Sequence, residues 1–198
     1  MIRVFLETGK PATSEYVFVS TLMNYLNIDK SVYRIECVDG KDNLRNIAPL
    51  LRANMSEGGI NLIVFDADKP ETNGGFSIRN RQIKETLEDM NVNADVFLFP
   101  NNHDDGTFEN LLEKIMCSGR HQQFIDCFSD YEKCLGNHYV TPNLKGKLHT
   151  YISSMKDITL RQRNRLGQGE WLFDNPDYWN LEDDYLKPLK EFLISHTI

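Results

Sequence analysis

The sequence predicts a single α/β domain: a four-stranded, mainly parallel sheet flanked by helices, followed by a helical C-terminal extension. Three observations predict it. Four short apolar runs of strand character alternate with stretches whose apolar residues recur at helical spacing. The third run is apolar at nearly every position, as a strand covered on both faces must be. Beyond Gly106 the strand runs stop and only helical periodicity remains.

Ile2 to Leu6 is the first strand, broken only by Arg3 and ending at Glu7. Thr8 to Thr13 contains Gly9 and Pro11, which suit a loop and a helix entry. Val17, Val19, Leu22, Met23 and Leu26 then mark a helix from Ser14 to Leu26. Val32 to Val38 alternates as a strand and closes at Asp39-Gly40. Leu44, Ile47, Leu50 and Leu51 predict a second helix, and Ile60 to Phe65 a buried strand ending at Asp66. A polar loop with Gly74 and Gly75 precedes a helix near Ile78 to Met90. Ala94 to Phe99 is the fourth strand, stopped by Pro100. Four further helices are expected: Phe108 to Met116, His121 to Leu135, Leu144 to Met155 and Tyr185 to Ile194. Residues 1–116 read as the α/β core and 117–198 as a helical extension packed on it, all within one compact domain.

A length of 198 residues suits one domain with a substantial core, and 40% hydrophobic with 26% charged residues is globular composition. No apolar run is long enough to span a bilayer. Met1 to Leu6 leads straight into a strand, so no signal peptide is expected. Cys37, Cys117, Cys127 and Cys134 form no CxxC pair, which fits a reducing compartment and a cytoplasmic location. A net charge of −7 argues against a sequence-independent nucleic-acid coat. It leaves room for a local basic groove. Between Lys145 and Arg165 six basic residues (Lys145, Lys147, Lys156, Arg161, Arg163, Arg165) face one acid, Asp157. Leu166 to Leu186 carries six acids and no Lys or Arg. The two stretches either neutralise each other on a common surface or leave the first free to contact DNA or RNA.

Ligands of open parallel sheets bind outside the carboxyl ends of the strands. Glu7, then Asp66-Ala67-Asp68, then the Pro100 to Gly106 loop all fall at that edge. In extended backbone Asp66 and Asp68 leave the same face with Cα atoms about 6–7 Å apart. Such a pair can supply the oxygens that Mg²⁺ or Mn²⁺ prefers, and two carboxylates this close repel unless a cation or proton intervenes. Glu109 begins the next helix at the same edge, where the helix dipole favours a carboxylate whether or not it binds a ligand.

The order strand–Glu–loop–helix, strand–helix, strand–DxD resembles the TOPRIM domain shared by topoisomerases, primases and overcoming-lysogenization-defect nucleases. Phe99-Pro100-Asn101-Asn102-His103-Asp104-Asp105-Gly106-Thr107-Phe108-Glu109-Asn110-Leu111-Leu112 is similar to the "PDN…G-x-LE-x-L" segment of an uncharacterised, TOPRIM-related bacterial family. Tyr178-Trp179, Leu186-Lys187-Pro188-Leu189 and Phe192-Leu193 resemble that family's tail. The resemblance implies metal-dependent phosphoryl transfer on a nucleic acid, with Asp66, Asp68 and Glu109 holding Mg²⁺ or Mn²⁺ and Glu7 in proton transfer. For such a substrate the basic stretch offers Lys145, Lys147, Arg161, Arg163 and Arg165 as candidate nucleic-acid contacts, and homo-oligomerisation stays open. Two positions depart from the family pattern: Thr8 intervenes before Gly9 where the motif reads Glu-Gly, and Asn101 stands where the segment has Asp.

Other chemistries compete. Thr8-Gly9-Lys10 fails as a phosphate loop, since Val4 lies five before Gly9 and Pro11 follows the lysine. Val64 to Asp68 also resembles the opening motif of haloacid-dehalogenase-type phosphatases, which would make Asp66 a nucleophile and Asp104-Asp105 a later acidic motif. That motif usually lies on the first strand and has Thr where Pro70 stands. An inert interaction module with solvated carboxylates is the third alternative. Cys117-x3-His121 and Cys134-x3-His138 could form a Cys2His2 zinc site or be ordinary helix residues. Trp171, Trp179 and Tyr178 could stack on bases, with burial the expected role for both Trp.

Overall fold

In a computed structural model, which describes residues 1–196, four strands form one parallel sheet: β1 (Ile2–Leu6), β2 (Tyr33–Cys37), β3 (Ile60–Asp66) and β4 (Asp95–Phe99). Their spatial order is β2-β1-β3-β4, with Val4 beside both Ile35 and Leu62, and Val64 beside Phe97. The chain therefore leaves β1 in one direction for β2 and returns across it to β3. With right-handed crossovers this reversal puts the connecting helices on opposite faces. Helix α1 (Ser14–Tyr25) covers one face, while α2 (Ala48–Ser56) and α3 (Phe76–Asp89) cover the other.

Strand alternation sorts the core. Ile2, Val4, Leu6, Leu62, Val64, Phe97 and Phe99 point to the α1 face. Phe5, Ile63, Phe65 and Leu98 point to the α2–α3 face. Two layers of apolar side chains, one on each face, make the β3 sequence nearly continuous in hydrophobicity. Asn61 is the exception, and its buried amide donates to the carbonyls of Leu51 and Asn93 at 3.1 and 3.2 Å.

The first face needs a larger cover than α1 alone. It comes from α4 (Phe108–Ile115), α5 (Gln122–Leu135), α6 (Leu144–Ser153), α7 (Leu160–Arg165) and α8 (Lys187–Ile194), with the segments between them. Phe108, Leu111, Tyr151, Trp171, Phe173, Trp179 and Leu189 join the same cluster as the β1 and β3 side chains. Residues on both sides of position 116 thus share one core. Trp179 is fully buried and donates Nε1–H to Trp171 O at 2.8 Å. Trp171 donates to Leu166 O at 3.0 Å. Both indoles pack in the core with their single donors satisfied, as buried Trp requires. Tyr151 donates its hydroxyl to Tyr178 O at 3.0 Å in the buried core. Tyr151→Phe should cost about 1 kcal/mol in urea unfolding, the usual net value of one such bond. No measurable change would mean that the Cys117 N–H, which also donates to Tyr178 O at 3.0 Å, satisfies that carbonyl alone.

Helix α7 was not expected from periodicity, because Leu160 to Arg165 has no apolar stripe. Its start was legible in another signal: Thr159 and Gln162 form a reciprocal capping box, with Gln162 Oε1 accepting from Thr159 N at 2.8 Å. The second expected helix is divided instead, a 3-10 turn over Lys41–Ile47 leading into α2, where Pro49 stands in the first turn. Among the described residues, no helix is long and apolar enough to cross a membrane.

Candidate functional site

Reversal of strand order opens a crevice at the carboxyl ends of β1 and β3, the position where doubly wound sheets bind ligands. Glu7 follows β1 and Asp66 ends β3, so both carboxylates enter it. The Asp66 backbone N–H donates to Glu7 Oε2 at 3.2 Å. The Phe108 N–H, at the first turn of α4, donates to Asp66 Oδ1 at 2.7 Å. Asp66 thereby occupies the positive end of the α4 dipole.

Two helix N-termini complete the enclosure. Thr13 caps α1, accepting from Tyr16 N at 3.4 Å and from the Thr8 hydroxyl at 3.0 Å, which ties the loop after β1 to the helix start. This places Glu15, in the first turn of α1, against Glu7 and Asp66. Glu109, in the first turn of α4, accepts from the Thr107 hydroxyl at 2.9 Å and lies 3.5 Å from Lys145 Nζ. Glu7, Glu15, Asp66, Glu109 and Lys145 line one cavity of about 300 Å³.

The electrostatics follow from crowding in a poorly solvated space. Burial raises the Glu15 carboxyl to about 8, with Glu7 and Glu109 adding repulsion and a hydrogen bond from the Glu7 backbone opposing it. Burial likewise pushes Asp66 well above the carboxylate range, reinforced by Glu15, Glu109 and Glu7. Glu7 is raised by burial, against a lowering hydrogen bond from Asp66 N–H. At neutral pH the cavity therefore retains protons that solvated carboxylates would release. Glu15 Oε1 is buried without a hydrogen-bond partner.

Asp68 does not line this cavity, although its charge helps raise the Glu7 carboxyl. Its φ of 62° breaks the extended backbone that would have kept it beside Asp66. Its carboxylate contacts Arg79 Nη2 of α3 at 2.5 Å and Lys41 Nζ at 3.7 Å, while its carbonyl accepts from Gly106 N at 2.8 Å. The DxD pair is thus divided, Asp66 meeting α4 and Asp68 meeting α3. Asp105 is also taken up structurally, accepting from Phe76 N at 2.6 Å at the start of α3.

Glu15 was missed by sequence reasoning, although the signal was present. An acid three residues after Pro11-Ala12, behind the Thr13-Ser14 cap of a helix that follows a strand, must begin that helix at the carboxyl edge. The same logic that singled out Glu109 applies to it.

The basic stretch is largely committed. Lys145 pairs with Glu109 and Lys147 with Glu113 at 2.8 Å, fastening α6 to α4. Arg163 donates to the Ser153 and Met155 carbonyls. Arg165 pairs with Glu170 at 2.6 Å, which among the described residues is the one ion pair joining the basic and acidic stretches. Arg161 is exposed.

Cys117 donates to Pro176 O at 3.4 Å and His121 Nε2 lies 3.0 Å from Asp177 O, while Cys134 and His138 are exposed. Among the described residues, no three His, Cys, Asp or Glu side chains stand in the arrangement of a formed metal centre. The cavity carboxylates supply oxygen donors only, the chemistry that Mg²⁺ or Mn²⁺ takes, and the orphaned Glu15 oxygen is a donor without an internal partner. No family model, curated protein or solved structure matches the chain.

Proposed function

We propose that this chain is a divalent-metal-dependent phosphoryl-transfer enzyme of TOPRIM type, cleaving a nucleic-acid phosphodiester. The observation that supports this reading is the set of carboxylates enclosed at the topological switch point, Glu15 and Asp66 with strongly raised proton affinity beside Glu7 and Glu109. Such a set is costly to fold around unless protons or a cation offset the repulsion, and a bound cation would take the place of the retained protons. Asp66, Glu15 and Glu109 do not form a metal centre as they stand and would have to converge to hold Mg²⁺ or Mn²⁺, which when bound would polarise a phosphate oxygen and stabilise developing charge. The hydrogen bond from Asp66 N–H fixes the Glu7 carboxylate, and burial brings its proton affinity nearer to neutrality, as a general base requires. Lys145, at the mouth beside Glu109, would meet the phosphate backbone, with Arg161 as a further contact. Four free cysteines suit a cytoplasmic enzyme.

Cation binding to the folded state raises its stability by mass action. Millimolar Mn²⁺ should therefore raise the melting temperature by several degrees, and Asp66→Asn with Glu15→Gln should abolish the rise. With Mn²⁺ the protein should cleave single-stranded, duplex or structured DNA or RNA, and Glu7→Gln should reduce cleavage far more than binding. Absence of both the shift and any cleavage would favour an inert interaction module. That second reading draws on the internal hydrogen bonds of Asp66 and Glu7, which are also structural. Hydrolysis of a small phosphate ester, lost in Asp66→Asn, would point instead to the phosphatase chemistry.

A further inference from the structure

Beside the carboxylate cavity, on the α3 face, lies a second cavity of about 320 Å³ whose lining is cationic. Lys41, Arg45 and Arg79 line it together with Gln82, Asn73 and Asp42. Arg79 is unusual among them. It is only 4% exposed, its Nη2 contacts Asp68, its Nη1 donates to Gln82 Oε1 at 2.9 Å, and its Nε is buried without a partner. A guanidinium is charged at every accessible pH and is rarely buried without full pairing. Here one carboxylate, Asp68, serves both Arg79 and Lys41. Arg45 reaches Asp89 in an exposed pair at 2.7 Å, which holds it weakly.

We propose that this cavity is a phosphate-binding pocket, two of whose lining cations, Arg79 and Lys41, are held from outside it by the Asp68 carboxylate, which competes with an incoming anion for them. The assignment of the phosphate to a nucleic-acid substrate rests on the phosphoryl-transfer reading; the anion pocket itself does not. Two features favour a phosphate group over a single carboxylate. The donors come from a fork and an ammonium on different elements, which a tetrahedral anion with several oxygens can engage together. A dianion would also outweigh the charge of one aspartate. The pocket adjoins the carboxylate cavity through Gly40-Lys41, since Gly40 lines one and Lys41 the other. A phosphate held by Arg79, Lys41 and Arg45 would therefore lie next to the group reacting over Asp66. By displacing Asp68 from Arg79 it would return a carboxylate to the edge where Glu7 and Asp66 stand. Phosphate and cation would then bind more tightly together than apart.

The test is titration of the full-length chain with inorganic phosphate in metal-free buffer, followed by calorimetry and by ³¹P line broadening. Asp68→Asn removes the competing charge while keeping the side-chain shape, so it should tighten phosphate binding about tenfold, the value of a charged hydrogen bond. Lys41→Gln and Arg45→Gln alter partly or largely exposed side chains and should each weaken it several-fold. Arg79→Lys should weaken it further, and because that residue is buried its fold is checked by circular dichroism. Phosphate affinity that is undetectable in both the native chain and Asp68→Asn, or that is the same in all variants, overturns the proposal. A protein that shows this phosphate response but neither a Mn²⁺ shift nor cleavage keeps the pocket and loses the nuclease reading. A protein that cleaves with Mn²⁺ yet ignores phosphate in every variant does the reverse.

Discussion

Replacing Glu15 with Gln should make the protein more stable at pH 8 and leave it almost unchanged at pH 5. The Glu15 carboxyl titrates near 8 in the folded chain and near 4.5 when unfolded. Between these values the folded state holds a proton that the unfolded state has released. Stability therefore falls as pH rises through that window, by up to 1.36 kcal/mol per pH unit for a fully developed difference, and levels off above 8. Below 4.5 both states are protonated and the group contributes nothing to the slope. Coupling to Glu7 and Asp66 spreads the loss over several groups, so Glu15 alone should account for a few kcal/mol at pH 8. Gln cannot ionise, and its amide would face carboxylate acceptors. Urea unfolding at pH 5, 7 and 8 should show the native chain declining steeply and Glu15→Gln declining much less. Saturating Mn²⁺ should flatten the native curve as well, because the cation takes the place of the retained protons. Parallel curves for the two proteins would remove Glu15 from the cluster.

That cluster shows which parts of the site could be read from the sequence. Glu7 and Asp66 were legible because each ends an apolar strand run, and a parallel sheet delivers all its strand ends to one edge. Glu109 was legible as the first-turn acid of an amphipathic helix. Asp68 was misplaced for a local reason. The expectation of a shared face assumed extended backbone through position 68, whereas the chain turns there into a left-handed conformation, with Gly74 approaching so closely that an added Cβ would lie 2.4 Å from Asp68 Cβ. No periodicity reports a single reversed dihedral angle. Arg79 was invisible for a different reason. An Arg on a helix that also carries Arg81 and Lys84 reads as solvated surface, and only the tertiary placement of α3 against Asp68 buries it. The sheet and most helices were legible because two-residue and 3.6-residue periods were strong. Helix α7 has no apolar face, and its cap was the signal that carried its start.

Gly169→Ala should be the most damaging single-methyl addition in the chain, and its effect should reach the carboxylate cavity. Gly169 has φ of 81°, in the left-handed region that costs a residue with a Cβ roughly 1–2 kcal/mol. An added Cβ would also stand 2.1 Å from Thr13 C and 2.2 Å from Ser14 N. Both atoms are backbone, so no side-chain rotation relieves the clash. Either the Leu166–Gln168 turn or the start of α1 must move. The turn is anchored from within, since Trp171 donates to Leu166 O and Trp171 O accepts from the fully buried Trp179. The helix start carries the Thr13 cap and, two residues on, Glu15. Strain and overpacking together should cost about 3–5 kcal/mol. For a protein of this size, that lowers the melting temperature by roughly 6–20 °C. The distinguishing readout lies at the site. If the C-terminal segment braces the α1 start, the surviving folded fraction of Gly169→Ala should lose the Mn²⁺-induced stabilisation along with the normal pH slope between 5 and 8. A control at Gly167, where an added Cβ meets nothing within 4 Å and φ is not left-handed, should leave both intact. Destabilisation of Gly169→Ala with an unchanged pH slope and metal response would mean that the bracing contact supports the fold alone and does not position Glu15.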